Sequence, residues 1–100
     1  MFERGMRNAQ GNGDAVVAAT AAQRLVVGPF FQLQNKGSAA VNVKLLLGAR
    51  EIYDVLLVDK GMAIVMDFPV EAGAGGLGEA LYVSLDAAVD VYYQIQVQST

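Results

Sequence analysis

The chain contains no cysteine and no histidine. Without cysteine, disulfides and thiolate metal sites are excluded, and a reducing compartment costs the protein nothing. Without histidine, the commonest general base, the usual zinc ligand and the usual physiological pH switch are all missing. Charge is scarce as well. Charged residues make up 17% of the chain, against roughly 25% in a typical soluble domain. Only seven are Lys or Arg, they are scattered, and the net charge is −3. A hold on nucleic-acid phosphates needs a basic face, so no nucleic-acid partner is expected. No apolar run approaches the roughly 20 residues of a membrane span. The opening MFERGMRNAQGNGD lacks the apolar stretch of about 7–15 residues that marks a signal peptide, so cytosolic synthesis is expected.

What is present is apolar surface. Apolar residues account for 54% of the 100 positions with glycine left out. A chain of this length is one domain, able to bury somewhat over 60% of its unfolded surface. A freestanding monomer normally clothes its exterior in charge. This composition fits either a rather apolar monomer or, as the favoured reading, an oligomer or a subunit docked on something larger.

Residues 1–13 hold three glycines, two asparagines and both signs of charge, with no periodic apolar pattern. They are expected to form a flexible N-terminal arm, either frayed or ordered against a neighbour. Residues 14–100 then read as one domain of short strands punctuated by turns. The alanine-rich AVVAATAAQ is compatible with a helix, but Val16, Val17 and Thr20 favour a strand. Arg24 opens a short apolar run that Gly28-Pro29 is expected to stop. Phe31, Leu33 and Asn35 alternate with Gln32 and Gln34, the period of a half-buried strand. In NKGS (35–38), Gly37 is expected to supply a positive φ, and Asn35 and Ser38 to hydrogen-bond local backbone. Val41, Val43, Leu45 and Leu47 share the next face, which predicts a hairpin around that turn.

GARE is the next turn, followed by IYDVLLV and a tight connection at Asp59-Lys60-Gly61. In MAIVMDF, Met62, Ile64, Met66 and Phe68 share one face, and Pro69 is expected to end the strand. Residues 70–79, with four glycines, read as a loop. LYVSL and a turn at Asp86-Ala87-Ala88 precede the last strand. There Val89, Val91, Tyr93, Ile95 and Val97 point inward and Asp90, Tyr92, Gln94, Gln96 and Gln98 outward. A helix over GEALYVSLDAAVD would place Tyr82, Val83 and Val89 against their preference. The fold expected is all-β: a small antiparallel β-sandwich or jelly roll of seven to eight strands, with an extended N-terminal arm.

Nothing in this layout assembles a catalytic, cofactor or metal site. Gly73, Gly75 and Gly78 spell G-x-G-x-x-G, but the helix and the second βαβ strand that would make it a dinucleotide loop do not follow. Glu51 and Asp54, three apart, fall on opposite faces of a regular strand. The other carboxylates are spread around turns and spell no calcium loop. No histidine activates Ser38, Ser84 or Ser99. Tyr53, Tyr82, Tyr92 and Tyr93 offer either a sugar-stacking platform or rim residues of a protein interface.

Parity argues for assembly. Leu45, Leu46 and Leu47 are consecutive, as are Leu56, Leu57 and Val58, so each trio places apolar groups on both faces. In two stacked sheets only one face of each is core, and the other needs the arm, a loop or another chain to cover it. Phe30 has the opposite parity to Phe31, so it packs beneath a loop or faces a partner. Tyr92 stands on the polar face of the last strand. The candidate interface residues are therefore Phe2 and Met6 on the arm, with Phe30, Leu46, Leu57 and Tyr92.

The stretches NKGSAAVNVKL, LLVDKGMAI, LYVSL and AVDVYYQIQV together resemble the small β-sandwich proteins of tailed-bacteriophage virions, the capsid decoration and head-fibre-base type. The resemblance spans about residues 20–98. It implies a non-enzymatic subunit of a virus particle, made in the host cytoplasm. Such a subunit is often trimeric and has as partners its own copies and a larger shell or capsid protein. It carries over no cofactor and no site residue. A carbohydrate- or receptor-binding module is the alternative, on the strength of the four tyrosines.

Overall fold

The computed structural model describes residues 2–18, 25–66, 70–71 and 79–99, with 70, 71 and 99 described by backbone alone. It is all-β, with no helix among the described residues. Eight strands follow in order: β1 (Phe2–Arg7), β2 (Leu25–Asn35), β3 (Val41–Leu47), β4 (Arg50–Leu57), β5 (Met62–Val65), β6 (Val70–Glu71), β7 (Leu81–Leu85) and β8 (Val91–Ser99). They form two antiparallel sheets. The large sheet runs β1-β8-β2-β5, with β6 also pairing with β2, and the small sheet runs β4-β3-β7.

The alternation in the sequence explains which faces meet. Val41, Val43, Leu45 and Leu47 of β3 are buried, as are Leu81, Val83 and Leu85 of β7. Val27, Phe31 and Leu33 of β2 and Val91, Ile95 and Val97 of β8 supply the other layer of the same core cluster. Each such side chain contributes about 1.5–3 kcal/mol by leaving water. Phe31 and Tyr53 join the layers edge to face, with ring centroids 4.8 Å apart.

Several expectations are corrected. Residues 2–7 do not hang free: β1 pairs with β8 along its whole length, from Phe2↔Gln96 to Arg7↔Val91. No β1 residue is fully buried, so backbone pairing, which hydropathy does not register, is what orders it. The chain then crosses to the small sheet. Gly11 and Val17 bridge to Leu85 and Leu81, covering the free edge of β7. The Arg7 guanidinium ties this crossing down, donating from Nε to the Val83 carbonyl at 3.1 Å and from Nη2 to that of Gly11 at 2.9 Å.

Gly28-Pro29, a cis peptide, does not stop the strand. β2 continues through it, absorbing it where the register with β8 shifts between Val27 and Phe31; a bulge is where proline is tolerated in a sheet. Residues 35–40 are not a hairpin turn either, because β2 and β3 belong to different sheets. Asn35, the one buried polar residue among those described, holds this crossing together. Its Nδ2 donates to the carbonyls of Ala39, Leu57 and Val58 at 2.7–3.2 Å, while its Oδ1 accepts from the Gly37 N–H at 2.8 Å. Gly37 has no positive φ. Its need is for space: a Cβ there would lie 2.7 Å from Val89 Cγ1. A positive φ is found instead at Gly48 (65°), in the two-residue turn joining β3 to β4, as a type II′ hairpin requires. The loop expected over 70–79 begins with paired backbone, since Val70–Glu71 is a strand. Residues 73–78, the end of the β5 segment at Phe68 and Pro69, and 19–23 of AVVAATAAQ lie outside the described residues.

Candidate interaction surface

Four of the six candidate residues come together on one surface, the outer face of the large sheet. Its register sets out rows across the strands. Met6 of β1, Tyr92 of β8, Gln34 of β2 and Met62 of β5 form one. Arg4, Gln94, Gln32 and Ile64 form the next. Phe2 and Gln96 lie opposite each other in the third. Phe30, carried outward by the bulge, joins that row: its N–H donates to Gln96 Oε1 at 3.3 Å, and its ring meets Phe2 edge to face at 5.8 Å. Phe30 thus packs against β1, not beneath a loop. Met66 extends the β5 edge, 70% exposed.

The result is a patterned face. Its two margins are apolar and open, Phe2 and Met6 on one side and Met62, Ile64 and Met66 on the other, each at least 42% exposed. Its centre is a ladder of glutamines and Tyr92, partly satisfied within itself: Tyr92 donates to Gln94 Oε1 at 3.2 Å, and Gln32 approaches Met62 Sδ at 3.5 Å. Arg4 is the sole charge among its outward residues from Phe2 to Met6, Phe30 to Gln34, Met62 to Met66 and Tyr92 to Gln98.

The other two candidates are elsewhere. Leu46 stands half-buried on the outer face of the small sheet, opposite Tyr82. Leu57 is 3% exposed inside the core, so it offers no side chain to a partner, and the exposed members of its trio are Leu56 and Val58. The tyrosines do not gather. Tyr53 packs on the core, Tyr93 faces inward, Tyr82 lies on the small sheet and Tyr92 on the large one.

No family model, curated protein or solved structure matches this chain.

Two depressions among the described residues, of ≈ 110 and ≈ 240 Å³, fall below the roughly 300–1,000 Å³ of small-molecule sites. The smaller one is lined by Asn42, Lys44, Ser84, Leu85 and Asp86 on the small sheet. A bulge in β4 alters the acidic pattern there, because the register with β3 shifts between Leu45 and Leu46. Glu51 and Asp54 therefore share the outer face, contrary to their spacing in a regular strand. Lys44 Nζ lies 3.8 Å from Glu51, Asn42 Nδ2 donates to Asp54, and the Asn42 N–H donates to Asp86 at 2.8 Å. These groups satisfy one another. No cluster of three or more acidic residues suited to a metal ion occurs among the described residues.

One titrating group bears on the candidate face. Tyr93 fixes β1 from the inner side: its ring lies over Gly5, where a Cβ would come within 2.6 Å of the hydroxyl. Burial pushes the Tyr93 hydroxyl above its ordinary pKa of 10.0, and the Glu3 carboxylate pushes the same way, while Arg7 opposes them. Sequence reasoning found Phe2, Met6, Phe30 and Tyr92, but did not single out Met62, Ile64 and Met66. Their shared parity was visible. The smaller residues of the opposite parity, Ala63 and Val65, are the pair that packs against the core.

Proposed function

We propose that this chain is a non-enzymatic assembly subunit of a virus particle, a capsid decoration or other virion-surface or connector protein, built as a small β-sandwich. The observation that carries the assembly part is the outer face that β1, β8, β2 and β5 form over Phe2–Met6, Tyr92–Gln98, Phe30–Gln34 and Met62–Met66, with two open apolar margins and Arg4 as its one outward charge among those described residues. Exposed large apolar side chains gathered on one face mark contact sites in soluble proteins. Supporting it, the N-terminal segment lends Phe2 and Met6 to that face, so arm and sheet act as one surface. The virion part rests on the sequence resemblance. Its partners are further copies of itself and a shell protein, and its place is the assembled particle after synthesis in the host cytoplasm.

Density-gradient fractionation of particles from producing cells tests this, with light scattering on the purified protein. The chain is expected to co-sediment with particles at a fixed stoichiometry. A protein that is absent from particles and monomeric at high micromolar concentration refutes the reading.

A further inference from the structure

We propose that two copies of this chain pair through the outer faces of their large sheets, about a two-fold axis running parallel to the strands. The pairing deepens the assembly reading above and rests on it.

The argument is the symmetry of the pattern itself. From edge to edge the Met6 row reads apolar, polar, polar, apolar across β1, β8, β2 and β5, while the next row begins with Arg4 on β1 and the third carries Phe30 on β2. A two-fold contact uses the same patch on both partners, so each residue meets its counterpart reciprocally. An axis along the strands lays β1 of one copy over β5 of the other and keeps every row in place. Met6 then opposes Met62 of the second copy and Phe2 opposes Met66. Tyr92 opposes Gln34, and Gln94 opposes Gln32. Arg4 opposes Ile64, along which its aliphatic stem can lie with the guanidinium at the rim. An in-plane axis perpendicular to the strands would stack Arg4 on Arg4 in the middle row, which like charge disfavours. An anionic partner, nucleic acid or acidic peptide, finds only Arg4 to engage among the described residues of these rows.

The area is sufficient. Four strands about 4.8 Å apart and six residues at about 3.3 Å each span roughly 400 Å² in projection. With side-chain relief, two copies bury on the order of 1,000 Å² in total, the lower limit for a specific interface. Stacked sheets lie about 10 Å apart, which is too far for a disulfide between facing Cα atoms and within reach of a short bis-maleimide.

The absence of cysteine makes the test clean. Met6→Cys and Met62→Cys chains, each alone and as a mixture, are treated with a short bis-maleimide. The mixture is expected to cross-link as a pair. Neither variant alone should, because like positions in this arrangement lie about 14 Å apart sideways. Light scattering should give twice the 10.6 kDa chain mass. Met62→Glu should weaken the pair by at least about 100-fold while circular dichroism stays native, since Met62 is 47% exposed within one chain, it faces the apolar Met6 of the second copy, and a carboxylate is costly only once covered. A monomeric wild-type chain, cross-linking of Met6→Cys with itself, or no cross-link from the mixture would overturn the pairing. The outcome is separable from the virion reading. A pair that never joins particles sinks only that reading, and particles that take up a monomeric chain sink only this one.

Discussion

The outer faces of the two sheets obey the same alternation and end in opposite states. On the small sheet, Lys44, Glu51, Asp54, Asn42 and Asp86 answer one another, and Leu56 is the large apolar side chain that they leave exposed among the described residues of its strands. On the large sheet the outward positions described are Met, Ile, Phe, Tyr and Gln with the single Arg4, and they leave apolar margins in solvent. The difference teaches that low charge in this chain is not spread evenly, as its composition alone would allow, but is concentrated on one side.

The comparison can be broken most severely from within. Leu57→Glu should abolish folding, since it puts an unpaired charge into the shared core. Leu56→Glu, one residue away and 61% exposed, should leave the fold within about 0.5 kcal/mol of wild type. Urea unfolding followed by circular dichroism checks both, and similar destabilisation by the two would mean that the faces are wrongly assigned.

A smaller effect should touch the large sheet alone. The Tyr93 pKa is raised in the folded state, so folding favours the protonated hydroxyl. That contribution is complete below the unfolded value of 10.0 and is lost as pH rises through the folded value. Thermal midpoints measured from pH 9 to 11.5 should fall more steeply for wild type than for Tyr93→Phe. Parallel curves would remove Tyr93 as the titrating anchor of β1.

The smallest effect belongs to the small sheet. Lys44→Gln removes an ion pair whose side chains are 44% and 45% exposed, and such pairs contribute about 0–1 kcal/mol. Its thermal midpoint should move by no more than a few degrees, and its oligomeric mass should not change. A changed mass would show that the charged face also takes part in assembly.

Much of this was legible in the residues. Alternation in β3, β7 and β8 located the core because one buried face imposes a period of two. The parity of Phe30 against Phe31 placed one of them outside. What was not legible lay in pairing and bulges. A bulge changes parity by one residue, and none announced itself between Arg50 and Asp54, so Glu51 and Asp54 were put on opposite faces. Proline at 29 looked like a stop because its bulge was invisible. The hairpin expected around 35–38 failed because turn chemistry specifies a reversal and not which sheet receives the next strand. For the face itself, Phe2 and Met6 were found as apolar residues on an arm. Their union with Met62 and Ile64 needed a strand order that only long-range pairing provides.

That strand order also sets the sequence of folding events. Among the described residues β1 finds its ladder on β8, from Phe2↔Gln96 to Arg7↔Val91, so β1 has no template until the distant β8 is in place. Loop closure over such a separation is slow, and contacts of this range place small β proteins in the millisecond-to-second regime. During that interval the flank of β8 that β1 will cover stays open to any other strand, including β1 of another chain. With no wholly buried side chain to hold it, β1 should also be among the first elements to detach from the native state, its amides exchanging with solvent well before those of β2 and β8. The margin that carries Phe2 and Met6 is then a hinged one, present or absent as a unit.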